Sequence, residues 1–481
     1  MNRRGNTHVR EGLGEGYLTV FLTLILTVVL SFCLMLIRQV QENTGRFAAE
    51  CVTDIGINSV LAEYHRELFQ QYNLLFVDLS YGTPTVSYDN MVSHLESYVK
   101  KNLSAEDLFL GSFYRNATQL TLTDTGLYGA LGACDMGGRE IRRQAVEVMY
   151  QDMGITYLEK IMSWADETEK YGLLNRDLLQ EQKDALKELE NLSGMESSML
   201  FDTEEQGGAV SFFEAGVLNL VADRESISAQ KITPSNYASH RKRFTGNDSL
   251  QDTSFEDNFL EQILFQEYIL SYTGQYVSPK GDSLLKYQTE YILAGLDNDP
   301  DNLKFVVGEL LGIRGAANLI SILQDSEKKA CAEILALSIT TVLGVPEAAD
   351  VLAYVLETVW AMAEAVYDVS ALLENSRIPL LKKPAEWHYS LEQAMSFEGP
   401  EKNTVSIQDG LSYIDYLRIL MCFQNKETLS LRLADIMEMD IRKTAGNEAF
   451  RMDGCFDRFR LCLNYGSSGN RKYSIDGIYG Y

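Results

Sequence analysis

The chain has 481 residues, of which 46% are hydrophobic and 10% aromatic, so it is long enough for two or three packed domains and is not intrinsically disordered. Its formal net charge is −26. An acidic body of this kind repels phosphate backbones, and we therefore expect no nucleic-acid partner. Only 8 prolines favour long helices over a many-turned all-β fold.

Residues 17–37 form the first predicted element, a transmembrane helix. The segment contains no charged residue, and at about 1.5 Å per residue it matches a hydrocarbon core of ~30 Å. A removed signal peptide would need a small-x-small cleavage site, which does not follow here. Three arginines precede the segment, so residues 1–16 are predicted to be a cytoplasmic tail and the main body extracytoplasmic. The lipid bilayer is thus the first predicted partner.

A ridge of small polar side chains runs along one side of this helix. Thr19, Thr23, Thr27 and Ser31 recur every four residues. Small residues at this spacing let membrane helices approach closely, and the ridge predicts a helix–helix interface. The alternative is that each hydroxyl bonds a carbonyl of its own helix. The sequence leaves both interpretations open.

Beyond the membrane, no proline occurs from Arg38 to about Gln71. The helix is therefore expected to continue as a stalk of about 50 Å. The predicted division of the chain is a tail (1–16), a transmembrane helix (17–37), a stalk helix with a first α/β part (38–125), a helical hairpin (126–193), a linker or long loop (194–255), a helical body (256–400), and C-terminal helices and β-strands (401–481).

The predicted fold class is mainly α with a small antiparallel β-sheet (α+β). Residues 302–373 indicate nearly continuous helix, and Leu335–Val345 within them is mostly apolar and uncharged. Eleven residues are too few to span a bilayer, so this run predicts a buried core helix. Short β-like runs at 119–123, 458–465 and 472–479 predict a sheet that gathers strands from both ends of the chain.

No catalytic constellation is visible. Phosphate loops, HExxH and GxSxG are absent, and the five histidines lie far apart, as structural histidines do. Asp297, Asp299 and Asp301 imitate the start of a calcium loop, but the required glycine and final glutamate are displaced. Asp301 or Asn302 is better interpreted as the cap of the following helix. We predict no enzyme activity, no cofactor and no metal site.

Two further features have structural interpretations. The 7 cysteines contain no CxxC motif and are interpreted as buried thiols, with Cys455 and Cys462 as a pair that could bridge a tight loop. The basic run from Arg241 to Arg243 is interpreted as a solvated loop.

Several stretches resemble a known family. They are GYLTVFLTLILTVVL in the membrane helix, SVLAEYHRELFQQYNLLFVD at 59–78, EYILAG at 290–295, residues 359–392, and GLSYIDYLRILM at 410–421. They resemble an uncharacterised group of Gram-positive single-pass envelope proteins, the domain of unknown function 5702. The N-terminus is also similar to the pseudopilin-like proteins of tight-adherence (Tad) pilus systems.

The resemblance implies export and a role in, or beside, a pilus-like assembly, with other envelope or pilus-assembly proteins as partners. Pilin-type processing would cleave between Gly16 and Tyr17. The glutamate that pilins carry as the fifth residue after cleavage is Phe21 here. The leading functional hypothesis is a structural or assembly component of an envelope appendage. The alternative is a tethered surface-binding module or adhesin with no role in pilus assembly.

Overall fold

The computed structural model describes residues 11–104, 120–152, 155–173, 177–193, 218–219, 221–222, 227–246, 250, 258–396, 410–467 and 471–481. The predicted fold class is confirmed, because these residues are mainly helical and carry one small antiparallel sheet. The helices are α1 (Glu11–Leu61), α2 (Arg66–Tyr72), α3 (Tyr88–Ser104), α4 (Arg139–Asp152), α5 (Ile155–Lys170), α6 (Leu178–Ser193), α7 (Phe259–Tyr272), α8 (Gln288–Ala294), α9 (Asp299–Gln324), α10 (Ser326–Leu343), α11 (Ala349–Leu373), α12 (Leu391–Ser396), α13 (Tyr413–Cys422) and α14 (Lys426–Arg442). The strands are β1 (Val77–Asp78), β2 (Thr121–Gly132), β3 (Cys455–Ser467) and β4 (Arg471–Gly480).

Helix α1 joins the predicted membrane segment to the body without a break. Its 51 residues correspond to a length of about 77 Å. The stalk ends at Leu61 rather than near Gln71, so the predicted end is wrong. The chain turns there because Tyr64 forms an isolated bridge with Val77 and the His65 N–H donates to the Phe76 carbonyl at 2.9 Å.

The sheet gathers strands from both ends of the chain, as the sequence predicts. Strand β3 is central and pairs antiparallel with β1, β2 and β4. Its alternate side chains Phe459, Leu461, Leu463 and Tyr465 are buried. They form the smaller of the two main cores together with the inner faces of α1 and α3.

The larger core is helical and is centred on α11, which packs against α9, α10 and α6. Nearly every side chain from Leu352 to Leu373 is buried. Helix α6 contributes Leu178 and Leu189, whereas its Leu192 is 44% exposed. Residues 139–193 contain three helices where the sequence suggested a hairpin.

The prediction for Leu335–Val345 is wrong. These residues lie in and just after α10, which contacts α11 through Ala332, Ala336 and Thr340. The opposite side leaves Leu337 52% and Val342 87% exposed. An apolar run without charges does not reveal which of its faces a neighbour covers, and here small residues form the packed face.

The start of α9 corrects another detail. Asn298, rather than Asp301 or Asn302, is the N-cap, and its side chain accepts from the Asp301 N–H at 2.8 Å. The Asp299 carboxylate accepts from the backbone N–H of Lys286 at 3.1 Å. The side chains of Asn298 and Asp299 therefore stabilise the backbone of the body through hydrogen bonds.

The predicted linker or long loop at 194–255 falls mostly outside the described residues. The main described part, residues 227–246, is irregular and contributes Tyr237 and Ala238 to the larger core. Arg241 contradicts the interpretation of a solvated basic loop, because its side chain is 13% exposed and pairs with Glu438 and Asp453. Cys455 and Cys462 are both free and lie seven residues apart on the same strand, which excludes a bridge between them.

Candidate functional site

The first half of α1 is an apolar surface that nothing in the described protein covers. Every large apolar side chain from Tyr17 to Ile37 is exposed, from 45% at Ile25 to 75% at Tyr17. Exposed apolar area of this extent marks an interaction site or a membrane segment. The segment is strongly apolar, and none of its most apolar stretch is buried. The segment is compatible with a single-pass anchor or a signal sequence.

A second helix is also long and apolar enough to cross a membrane. The most apolar stretch of Asp299–Gln324, however, is 67% buried inside the body. Buried apolar helices are normal in the cores of soluble domains. Among the described residues, α1 is therefore the candidate for membrane insertion.

The predicted ridge lies on the exposed half of α1. Thr23 donates to the Val20 carbonyl at 2.9 Å, Thr27 to Leu24 at 2.8 Å, and Ser31 to Thr27 at 2.7 Å. These bonds satisfy the hydroxyls within the helix and make them compatible with lipid. The interface itself stays a prediction. The predicted processing site, Gly16–Tyr17, lies within α1.

The second half of α1 is built into the body by small residues. A Cβ on Gly45 would collide with the Tyr473 ring, and one on Gly56 would lie 2.8 Å from Val99 Cγ2. The buried hydroxyls of Thr53 and Tyr465 are 2.6 Å apart. The junction thus lets the stalk sit close against α3 and the sheet.

Gly56→Ala is expected to destabilise the chain by about 1–3 kcal/mol, because the added methyl meets Val99 in a packed core. Gly308→Ala is the matched control, since a Cβ there meets nothing within 4 Å. In the control, the lower backbone entropy of the unfolded chain should stabilise α9 by roughly 0.5–1 kcal/mol. The thermal unfolding midpoints of the two full-length variants, each compared with the wild type, show which substitution lowers stability and which raises it. A higher midpoint for Gly56→Ala would show that α1 and α3 are not tightly packed.

A polar cleft of about 360 Å³ opens where α1 ends. It is lined by Glu63, Tyr64, His65, Arg66, Glu67, Asp78, Tyr81, Gly82 and Asn447. The His65 Nδ1 accepts from the Leu68 N–H at 3.2 Å, so the proton lies on Nε2, which faces Asn447 Oδ1 at 3.1 Å. Burial raises the pKa of Asp78 above its ordinary value, and hydrogen bonds from Ser80 oppose that shift. The cleft offers both charges and hydrogen-bonding groups to a small polar ligand.

The helical body contains a network of four fully buried charges, Arg314, Asp368, Lys382 and Glu364. The Arg314 guanidinium donates to Asp368 Oδ2 at 2.8 Å and to the Leu380 carbonyl at 2.7 Å. The Lys382 ammonium contacts Glu364, and lies 2.5 Å from Asp368 Oδ1. Two positive and two negative groups balance, which is how buried charges are tolerated.

His388 completes this network at the protein surface. Its Nδ1 lies 3.1 Å from Glu364 Oε1, and its ring stacks on Tyr367 with centroids 3.8 Å apart. Burial raises the pKa of Glu364, but hydrogen bonds from His388 and the charge of Lys382 outweigh burial and hold it below its ordinary value. The network ties α9 and α11 to the segment that follows α11, and its role is structural.

The sequence did not identify this network, although it contained a signal. Glu364 and Asp368 lie four residues apart in the otherwise apolar run of α11, and Arg314 interrupts α9 in the same way. An ionisable residue inside an apolar helix needs a partner. The partners themselves lie too far away in the chain to be paired by spacing.

A second set of buried acids lies on α14, where Asp435, Glu438 and Asp440 are almost completely covered. Asp435 accepts from the Ser239 N–H at 2.9 Å and from the Tyr291 hydroxyl at 2.9 Å. Burial raises its pKa to about 6. Asp435 and Glu438 hold residues 227–246 against the helical body through Ser239 and Arg241. Asp440 instead accepts hydrogen bonds from Tyr72, Ser283 and Gln288. Within the described ranges, no group of three or more potential ligands is arranged to hold a metal ion.

Glu290 is expected to make stability fall as the pH rises. Burial raises its pKa to about 7, while Tyr413 and the Tyr276 N–H donate to Oε1 at 2.7 and 2.8 Å. Between pH 4.5 and 7 the native state then binds a proton that the unfolded chain has lost. The stabilisation is complete below about pH 4.5 and is lost as the pH passes 7, a change on the order of 3 kcal/mol.

Glu290→Gln removes this titration, so chemical unfolding between pH 5 and 8 should show a flatter stability profile than the wild type. Glu392→Gln is the control, because this carboxylate is exposed on α12. Equal pH slopes for the wild type and Glu290→Gln would show that Glu290 titrates normally in the folded protein.

The helical body lies within the part of the chain that matches a known family. Residues 208–467 match a family described as a family of unknown function (DUF5702). The matched range runs from the segment before α7 to the end of β3, and it includes both buried charge networks. No curated protein and no solved structure matches the chain.

Proposed function

Because the chain belongs to the family of unknown function DUF5702, we propose from its architecture that it is a membrane-anchored structural or assembly component of a pilus-like envelope system. Residues 1–16 lie in the cytoplasm, residues 17–37 span the membrane, and the acidic body acts outside. Other envelope or pilus-assembly proteins are its partners. The proposal does not need an enzyme activity.

The continuity of α1 carries this proposal. One unbroken helix of 51 residues is bare and apolar in its first half and packed against a sheet in its second. A simple tether needs no rigid connection, since a flexible linker would serve. A rigid connection transmits force and fixes the angle between body and membrane. A component of an assembled appendage requires both properties.

The experiment is to determine the N-terminus of the membrane-bound protein from its native host by intact mass. A chain that begins at Tyr17 has been processed as a pilus subunit despite Phe21, which supports the filament role. A chain that begins at residue 1 or 2 keeps a permanent anchor and supports an assembly accessory. A chain that begins after Ile37 and is released from the membrane contradicts the proposal.

The polar cleft supports a second candidate, a tethered surface-binding module. Its mixture of Glu63, Arg66 and His65 at the end of α1, away from the predicted membrane segment, suits a small charged ligand rather than a filament contact. Charge reversal at Arg66 should then abolish ligand capture by the full chain and leave assembly intact. Under the filament role alone, the same charge reversal should leave assembly intact, with no ligand capture to lose.

A further inference from the structure

Within the buried charge network of the helical body, Lys382 and Asp368 lie close enough to react with each other. The Lys382 Nζ is 2.5 Å from Asp368 Oδ1. The carboxyl carbon is one C–O bond beyond this oxygen, so Nζ lies at most about 3.7 Å from that carbon. Reacting atoms in near-attack arrangements are about 3–3.5 Å apart. The nitrogen of Lys382 is therefore placed for attack on the carboxyl group of Asp368.

The two carboxyl oxygens of Asp368 have different surroundings. Oδ2 accepts from three N–H groups, from Arg314 Nε at 3.0 Å, Arg314 Nη2 at 2.8 Å and Asn318 Nδ2 at 3.0 Å. Oδ1 is also buried, yet it accepts no well-formed hydrogen bond from any residue that the structure describes. Buried carboxylate oxygens normally accept at least one hydrogen bond, so a simple salt bridge with Lys382 does not account for Oδ1. The arrangement suits a reaction in which Oδ2 stays and Oδ1 leaves.

We propose that Lys382 and Asp368 join in an isopeptide bond, with Glu364 as the group that moves the protons. Glu364 lies one helical turn before Asp368 on α11, and the Lys382 ammonium contacts both carboxyl groups. Glu364 also accepts from the backbone N–H of Tyr389 at 3.0 Å, which favours its carboxylate form. The bond goes beyond the proposed envelope function and does not depend on it.

The bond forms by condensation with the loss of one water molecule. Glu364 takes a proton from the Lys382 ammonium, and the resulting amine attacks the carboxyl carbon of Asp368. The donors from Arg314 and Asn318 stabilise the negative charge that develops on Oδ2, as an oxyanion hole does. Glu364 passes its proton to Oδ1, then takes a second proton from the nitrogen and delivers it as well, so that Oδ1 departs as water. A C–N bond replaces a C–O bond, and Glu364 ends as the carboxylate that it was at the start.

Burial favours the bonded product. The side chains of Lys382, Asp368 and Glu364 are all 0% exposed, and the rings of Tyr367 and Trp387 each lie 5.9 Å from the Lys382 Nζ. Buried charges are costly to keep away from water, and the neutral amide removes two of them. The product closes residues 368–382 into a covalent loop between α11 and the segment that follows it.

The experiment is the intact mass of the folded full chain, followed by peptide mapping after digestion with trypsin. The wild type should be lighter than its own sequence by the mass of one water. Trypsin cuts after Arg377, which lies between the two residues, yet the peptides that carry Asp368 and Lys382 should stay joined. A chain of full mass whose two peptides separate contains only a salt bridge, and this result would overturn the inference.

Lys382→Met and Glu364→Gln test the assigned roles. Both variants should have the full mass, because the first lacks the nucleophile and the second lacks the group that moves the protons. Lys280→Arg is the matched control, since Lys280 also pairs with an aspartate, Asp440, at 3.0 Å but is 32% exposed; this variant should keep the loss of one water. Complete bond formation in Glu364→Gln, or its absence in Lys280→Arg, contradicts the assignment. The wild-type masses decide whether the bond exists even if a variant fails to fold.

Discussion

Asp368→Ala is expected to lower the free energy of unfolding by about 3–5 kcal/mol, one of the largest effects of any single substitution in this chain. The change leaves Arg314 and Lys382 buried with only Glu364 to balance them. The guanidinium remains held by the carbonyls of Pro379 and Leu380, so it cannot turn to solvent. Urea unfolding of the full chain in detergent, followed by tryptophan fluorescence, measures the loss. Trp360 and Trp387 lie beside the network.

Asp476→Ala is the matched control, since it deletes the same carboxylate from an exposed pair. Asp476 lies 3.1 Å from Arg460, and both side chains are about half exposed. Surface pairs of this kind contribute about 0–1 kcal/mol. Similar losses for the two variants would show that the buried network is open to water.

The double variant Arg314→Met with Asp368→Leu tests whether the two residues act as a pair. Replacing both charges with apolar groups removes the unbalanced charge, and such replacements are often nearly neutral. The double variant should therefore lose less stability than the sum of the two single variants. Additive losses would mean that Arg314 is held mainly by the carbonyls and not by Asp368.

The sequence predicted the parts of the fold that depend on local pattern. The charge-free run at 17–37 carries its own signal over many residues. The strands β3 and β4 also alternate clearly, and their collection with β2 into one sheet was expected. These features follow from periodicity, which a single sequence contains.

The sequence could not predict the features that depend on distant neighbours. The stalk ends at Leu61 because of a bridge from Tyr64 to Val77, and no local breaker marks that position. The bare side of α10 depends on where α11 lies. Exposure along the stalk part of α1 is similarly hidden in the sequence, since Phe47 and Val52 are both apolar while one is exposed and the other buried. Whether an apolar residue is buried depends on its neighbours in the folded structure, and the local sequence does not reveal them.

Leu26→Arg combined with Val29→Arg is expected to release the full chain from membranes. Both positions lie near the centre of residues 17–37, where each arginine costs about 2.5–3.5 kcal/mol of insertion free energy. The combined cost of roughly 5–7 kcal/mol rivals the several kcal/mol by which the apolar residues favour insertion. Carbonate extraction followed by immunoblotting measures the fraction that stays in the membrane pellet.

Ile334→Arg combined with Leu337→Arg is the matched control. These side chains are 69% and 52% exposed, so they resemble the anchor residues in chemistry and accessibility but lie on α10. If α1 alone inserts, the control chain should stay in the pellet like the wild type. Release by the α10 pair would instead identify α10 as a membrane contact, and a pellet unchanged by the α1 pair would show that residues 17–37 are not the anchor. The two double variants add the same charge. A difference between them in the fraction that stays in the membrane pellet therefore depends on where the arginines lie, and it identifies the segment that the bilayer binds.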